Sequence, residues 1–510
     1  MANYTKKALR GSLIIFTFFM VTQFFSYLVR FLFAKKLTTI EYGLFYACFA
    51  FVSFFTIFKE FGLNEALTKF IPEFLVKKKD TSIKNSIVYA FIIQFIVTAL
   101  ISGAIFLLAD YLSGNYFHNQ LASITLKILL IGFLLDSIVV VLKNTFLGYQ
   151  RYALYSSIMF FKMIAVLVSA LILFSLEFKI FSPALAYAIA PFILLVIFIP
   201  VFLKKVFPKF LRIKSSWDSN LFKTLSSYGL IVMAGMAGSS LLGYADTLIL
   251  TYFSLTSVAL YNIALPTANI VLYMVIAISN TLFPLVSEMW AKKEDIIIKK
   301  GVELLYRTVF LAVIPVALTL FAFPDVFVRI FFGEKFLAEK VVIFGYSFVA
   351  VTFTLQILIA GIIFSVLFVI NNNIINGLGK PKINTKIVFI AALINIILNF
   401  TLIPKWGIVG AAIGMSISNV LMAALSLMFL RRFLYVSLPF RAWIKTCLSG
   451  ITFLIIAYSM KVLMPVDSPL LKLVIVAIAA TVVYSYLLFL LRVITVAEIR
   501  EWIKMSEIFH

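Results

Sequence analysis

The sequence predicts an all-α integral membrane protein of about 14 transmembrane helices, two parallel six-helix repeats facing a central cavity, followed by two extra helices. Three observations predict it. Hydrophobic residues make up 63% of the 510 positions and mean hydropathy is +1.10, against roughly half apolar in a soluble globule. Apolar runs of spanning length follow one another with no interval long enough for a soluble domain. Two parts of the chain also repeat each other. Leu37-Thr-Thr-Ile-Glu-Tyr-Gly-Leu-Phe matches Leu255-Thr-Ser-Val-Ala-Leu-Tyr with a two-residue gap, and Asn144-Thr-Phe-Leu-Gly-Tyr-Gln-Arg matches Asn373-Ile-Ile-Asn-Gly-Leu-Gly-Lys, offset by about 220 residues.

The spans read as 11–33, 42–60, 85–109, 121–142, 154–176, 181–203, 224–246, 259–284, 302–323, 342–368, 385–403, 407–430, 442–463 and 470–492. The repeat divides the chain into an N-terminal six-helix lobe at 1–215, a second at 216–435, and two added helices with a tail at 436–510. Of the Lys and Arg residues, roughly 31 fall in loops on the side of Lys6, Lys7 and Arg10, about nine on the other side and about four within spans. That bias places both termini in the cytoplasm and the chain, multi-pass, in the cell membrane. The first span exceeds the apolar core of a signal peptide and is followed by no small-residue cleavage site. Between the tenth and eleventh spans, Gly377, Gly379 and Pro381 form a tight basic turn with Lys380, Lys382 and Lys386. Thr495 and Glu498 form a capping box before Ile499, Trp502 and Ile503, predicting a short amphipathic helix on the inner surface.

Polar residues inside the spans carry the candidate chemistry. Gln23, Ser26 and Arg30 share one face of the first span; Tyr42, Tyr46, Ser53 and Thr56 stripe the second. Ser239, Gly243 and Asp246 line the seventh, and Asn262, Pro266, Asn269, Tyr273 and Asn280 the eighth. In the repeat register Tyr46 matches Asn262 and Ser53 matches Asn269, so the stripes are equivalent in the two halves. A mid-bilayer Arg or Asp costs about 3 kcal/mol on insertion scales, so these stripes are expected to face the cavity rather than lipid. The substrate-binding set is therefore Arg30, Gln23, Ser26, Tyr46, Ser53, Asn262, Asn269 and Asn280, with Asp246 as a coupling or ion-pair residue. Asp136 and Lys143, seven apart on one helix face, read as a structural pair; Lys127, Lys162 and Arg307 are further charges within spans. Interhelical hydrogen bonding and the snorkelling of Arg30 to headgroups are the plainer roles for such residues.

Other classes fit poorly. A net charge of +23 could suggest nucleic acid, but the cations sit in loops between spans, where topology and anionic headgroups account for them. Cys48 and Cys447 lie in apolar runs and imply no disulfide framework. His118 is alone in a loop and His510 is terminal, so no metal-ligand spacing occurs. Gly377-Leu-Gly-Lys-Pro lacks the spacing and preceding strand of a phosphate-binding loop. No nucleophile–base set is visible, so an enzyme is not expected, nor a cofactor.

Asn373-Ile-Ile-Asn-Gly-Leu-Gly-Lys-Pro, followed by Leu402-Ile-Pro-Lys-Trp-Gly-Ile-Val-Gly-Ala-Ala, resembles the polysaccharide exporters, flippases of lipid-linked oligosaccharides such as O-antigen precursors, in the multidrug/oligosaccharidyl-lipid/polysaccharide (MOP) superfamily. Lys35 to Phe45 with Phe61-Gly-Leu, Ala245-Asp-Thr with Leu260-Tyr-Asn, and Phe283-Pro look like further motifs of that family in the right order, over about residues 8–435. The resemblance implies two six-helix bundles forming a V-shaped cavity with alternating access. It implies a polyprenyl-pyrophosphate-linked oligosaccharide carried from the inner to the outer leaflet, for polysaccharide or glycoprotein glycan assembly. Its partners would be that substrate, membrane lipids, H+ or Na+ as coupling ion, and a polysaccharide polymerase or glycosyltransferases. The alternative in the same superfamily is a cation-coupled multidrug antiporter. Such antiporters use acidic residues in the first bundle, whereas here the first span carries Arg30 and the first two spans hold no carboxylate before Glu60, apart from Glu41 in a loop. A membrane glycosyltransferase or glycan polymerase would need a carboxylate base or a large outer loop, and the outer stretches are short.

The topology is testable by single-cysteine labelling in a background without Cys48 and Cys447. Probes at Lys335 and Lys405 should react with an impermeant thiol reagent from outside, while those at Lys79, Lys293 and Lys382 should not; reversal at any two sites would refute the fourteen-span arrangement.

Overall fold

A computed structural model describes residues 2–279, 286, 287, 289, 290, 292–434, 436–465 and 467–493. Asn280, the Phe283-Pro motif and the expected tail helix lie outside the described residues. Among the described residues, thirteen helical segments are long and apolar enough to cross a membrane. One of them, Pro381–Leu430, consists of two arms meeting at Gly407 (φ 53°, ψ −129°), which gives the expected eleventh and twelfth spans.

The chain runs α1 (Ala2–Lys36), α2 (Thr39–Phe54), α3 (Thr56–Glu60), α4 (Leu63–Val76), α5 (Asp80–Asn115), α6 (Leu121–Gly148), α7 (Tyr152–Ser175), α8 (Ser182–Val201), α9 (Ser219–Phe253) and α10 (Leu255–Ser279). It continues through α11 (Asp295–Ala322), α12 (Pro324–Phe331), strands β1 (Lys340–Ile343) and β2 (Tyr346–Val349), α13 (Ala350–Gly377), α14 (Pro381–Leu430), α15 (Phe440–Leu463) and α16 (Pro469–Leu490). The helices group into two compact units: Met1–Asn262 with Val388–Gly414, and Ile263–Ile387 with Met415–His510.

The structure corrects two spans. The tenth begins at Ala350, not at 342, because 340–349 form an antiparallel hairpin in which Val342 pairs with Ser347. Its turn residues, Phe344 (φ 50°) and Gly345 (φ 84°), both take positive φ, as a two-residue hairpin turn requires, and β-branched residues precede them. The second span is not one helix. It is interrupted at Phe55 and again at Phe61 and Gly62, which are left-handed at φ 48° and φ 63°. Backbone freed by a break inside a membrane needs a protein partner. Here Gln94 of α5 donates through Nε2 to the Glu60 carbonyl at 3.3 Å and to Asn64 Oδ1 at 3.0 Å.

In the first unit, α1 packs on α7, and α6 on α5 and α8. A cluster including Leu67, Ile71, Phe146, Phe198, Phe202 and Leu225 joins α4, α6, α8 and the start of α9. The break in the second span abuts α9 backbone to backbone: a Cβ on Gly62 would sit 2.0 Å from the carbonyl oxygen of Gly229. In the second unit, α15 and α16 brace α11. Trp443 Nε1 donates to the Tyr306 carbonyl (3.3 Å), Tyr484 to that of Leu311 (3.4 Å), and Lys461 pairs with Asp325 of α12 (2.7 Å). Asn371 of α13 links the buried hydroxyls of Tyr306 and Ser426.

Gly62→Ala therefore combines left-handed strain with a steric clash, and should destabilise the protein by about 2–4 kcal/mol. Gly103→Ala, where a Cβ would meet nothing within 4 Å, should not. Apparent melting temperatures of the purified variants in detergent check this.

Candidate functional site

The capping box of Thr38 and Glu41 starts α2 and fixes the face it presents. Tyr42 and Tyr46, one turn apart, then pack ring against ring with centroids 4.6 Å apart and planes tilted by 51°. The Arg30 guanidinium of α1 lies over the Tyr46 ring at 4.8 Å from its centroid, and Tyr42, Tyr187 of α8 and Tyr27 are within its electrostatic reach. Arg30 Nη1 donates to the Asn262 carbonyl at 3.3 Å. That carbonyl is available for a reason written in the sequence. In a helix it would accept from the N–H four residues on, and residue 266 is proline, which has none. The cation thus takes the place of a missing helical donor. The Asn262 amide turns the other way, donating to the Val258 carbonyl (3.0 Å) and to Thr247 Oγ1 (3.4 Å).

The structure so brings together Arg30, Tyr46 and Asn262. Gln23 and Ser26 lie two turns and one turn before Arg30 on α1 and are half-buried. Ser53 is within hydrogen-bonding reach of Tyr244 of α9. Asn269 is half-buried in α10, within the second compact unit. Sequence reasoning missed Tyr187 as part of this group, because a single tyrosine in an apolar helix carries no periodic signal.

Asp246 heads a second polar group, and its residue is 3% exposed. Its carboxylate accepts from the Tyr261 hydroxyl and from Asn399 Nδ2 (2.5 Å), with Asn395 also in hydrogen-bonding reach. Asn399 Nδ2 also donates to Asn395 Oδ1 at 3.0 Å. These hydrogen-bond partners are neutral, so they form no ion pair with Asp246. Asn399 Oδ1 is buried and has no hydrogen-bond partner among the described residues. The group therefore gathers a carboxylate, two amides and a phenol with unused polar capacity. Sequence reasoning missed Asn395 and Asn399, although their i, i+4 spacing in an apolar run puts them on one helix face.

The expected pairing of Asp136 with Lys143 is not formed. Seven residues along a helix span about 10 Å, too far for contact. Asp136 instead meets Lys59 of α3 and Lys162 of α7, and Lys143 lies 5.8 Å from the Tyr155 ring centroid. Lys127 pairs with Asp110 at 3.1 Å near the far end of α5. Among the described residues no group of three or more His, Cys, Asp or Glu side chains could hold a metal.

The fold is that of MOP-superfamily membrane transporters. It is similar to a lipid II flippase, MurJ, in an inward closed conformation, with TM-score 0.72 and 14% identity over 93% of this chain and 98% of that one. It is also similar to an inward-facing multidrug resistance MATE transporter, with TM-score 0.65 and 13% identity over 82% and 97% of the two chains. Residues 8–290 match the model of the polysaccharide biosynthesis protein family, and 232–401 match the MatE model. The chain belongs to the polysaccharide biosynthesis protein family. It is 33% identical to an uncharacterized membrane protein of Methanocaldococcus jannaschii over 98% of this chain and 99% of that protein. It is 25% identical to a probable low-salt glycan biosynthesis flippase, Agl15, of Haloferax volcanii over 58% and 61% of the respective lengths.

The Arg30–Tyr46 contact should appear as coupling in a double-mutant cycle. Tyr46→Phe should leave apparent stability unchanged, Tyr46→Leu should lower it, and Arg30→Met with Tyr46→Leu should be less than additive by about 1 kcal/mol. Thermal unfolding of the wild type, Arg30→Met, both Tyr46 variants and the double variant in detergent measures it.

Proposed function

We propose that the protein is a flippase that moves a polyprenyl-pyrophosphate-linked oligosaccharide from the cytoplasmic to the outer leaflet by alternating access, for polysaccharide or glycoprotein glycan assembly. The observation that carries this reading is Arg30, a cation inside a membrane helix bundle, set over Tyr46 and on the carbonyl that Pro266 leaves free. A pyrophosphate needs such a cation, a glycan needs amides and hydroxyls, and a polyprenyl chain needs apolar surface. Gln23, Ser26, Ser53, Asn262, Asn269 and Asn280 would supply the polar partners, from two parallel repeats at 1–215 and 216–435. The relatedness to a probable glycan biosynthesis flippase supports the substrate class. A cationic drug would be repelled by Arg30, which disfavours the multidrug antiporter.

The bias of Lys and Arg between alternate loops supports a location in the cell membrane with both termini cytoplasmic. A polymerase or glycosyltransferases would act on either side of the flipping step. Asp246 is the candidate coupling residue. Its carboxylate can take up H+, or, with the amide oxygens of Asn395 and Asn399 turned towards it, Na+, since hard cations favour oxygen ligands.

Flipping of a fluorescent polyprenyl-pyrophosphate oligosaccharide in proteoliposomes tests this. Arg30→Ala should slow it at least about tenfold while the protein stays folded, and Arg30→Lys should restore part, because Lys keeps the charge but loses the planar fork. Wild-type rates in Arg30→Ala would refute the role of Arg30, and the absence of flipping by wild type would refute the function. Loss of H+- or Na+-driven flipping in Asp246→Asn would assign the coupling site; retention would remove it.

A further inference from the structure

Lys59 is carried on α3, the short helix between the two interruptions of the second span. Its side chain is 1% exposed, lies 4.5 Å from the Phe133 ring centroid and reaches Asp136 Oδ2 at 3.0 Å. Lys162 reaches the other oxygen, Oδ1, at 2.6 Å. Each carboxylate oxygen therefore holds one ammonium, and two positive charges share one negative charge. Asp136 and Lys162 keep 18% and 26% of their side-chain surface open, so the group can be approached. At 1.5 Å per residue, Asp136 lies about 18 Å from the end of α6, and Lys162 about 15 Å from the start of α7. That is near the middle of a hydrocarbon core about 30 Å thick. The charges around the trio are Lys143 on α6, Glu60 on α3 and Glu65 on α4, the last two within reach of Lys143.

A brace between helices needs one cation for one carboxylate, and a second lysine, with Lys59 fully buried, is then without purpose. Broken helices at mid-membrane depth are tolerated where they are buried in protein or line a binding site, and this break delivers Lys59 to the trio. We propose that Lys59 and Lys162 form a diphosphate-binding site in which Asp136 stands in for the ligand between arrivals. The inference rests on the flippase reading and places a second cationic station in the first unit, besides Arg30. A diphosphate diester carries one negative charge on each phosphate, so it can bridge both ammonium groups and neutralise them fully. Binding is an exchange of anions: the ligand takes the ammonium groups that Asp136 releases, and each ammonium keeps an oxygen partner throughout.

Titration calorimetry of the purified full chain with farnesyl diphosphate tests the site, with inorganic diphosphate as a headgroup-only probe and phosphatidylglycerol as a bulk-lipid probe. Lys162→Gln, which keeps the Lys59–Asp136 pair, should raise Kd at least about tenfold, and Lys162→Arg should recover most of the affinity. Asp136→Asn should lower Kd about tenfold, because the competing anion is gone. If Asp136→Asn does not fold, the two Lys162 variants decide alone. Unchanged Kd in Lys162→Gln, even with a lower melting temperature, would make the trio a brace and overturn the inference. Displacement of farnesyl diphosphate by equimolar phosphatidylglycerol would also overturn it, as would equal affinity for inorganic and farnesyl diphosphate, which would mark a free-anion site. Flipping separates the two ideas. Wild-type flipping with Lys162 variants unaffected sinks the trio alone; a wild type that neither binds farnesyl diphosphate nor flips lipid sinks both.

Discussion

A charge in the middle of a bilayer has no water to solvate it, so each one must find its counterpart inside the protein. Much of the first unit follows from that constraint. Asp136 fixes the heights at which α3 and α7 meet α6, because two ammonium groups converge on its two oxygens. Arg30 is held by an aromatic face and a carbonyl rather than by a carboxylate, so its charge is sheltered without being cancelled. Asp246 is likewise held by neutral hydrogen-bond donors, Tyr261 and Asn399. A bundle built for stability alone would pair its charges or omit them. One that must receive charged guests keeps some of them uncompensated.

The same rule governs the backbone. Peptide groups released by a break must be satisfied locally. Gln94 closes the break in the second span, Arg30 closes the vacancy that Pro266 opens in α10, and the turn between the arms of α14 is compressed into Gly407. Each irregularity thus ties two helices together where a regular helix would have been self-sufficient. The places where the helices depart from ideal geometry are also the places where the polar groups gather.

Much of the fold was legible in the sequence because apolar length and the turn residues Gly377, Gly379 and Pro381 are local signals, and α13 does end at Gly377 with Pro381 at the start of α14. The hairpin at 340–349 was not, since a two-stranded ribbon of Val, Ile, Phe and Tyr has the composition of a span, and only Gly345 marks its turn. Within the site, Arg30 was legible from helical periodicity, and Tyr46 and Asn262 from that periodicity and from the internal repeat. The partners of Asp136 were not. Helix spacing names residues on one face of one helix, but the heights at which Lys59 and Lys162 arrive depend on how three segments slide against each other, and on a break that shifts the register of the second span. Asn395 and Asn399 were missed: their spacing puts them on one helix face, but nothing in it shows that Asp246 would lie against it.

Pro266 acts at a distance of one helical turn, through an atom it does not possess. Its effect is felt at Asn262 and, through that carbonyl, at a guanidinium on another helix. Arg30 and Pro266 thus act on one carbonyl although they lie far apart in the sequence. An arginine without the proline has to compete with a helical N–H for its acceptor, and a proline without the arginine leaves a carbonyl bare in an apolar setting. Replacement of either residue alone would therefore leave the Asn262 carbonyl wrongly partnered.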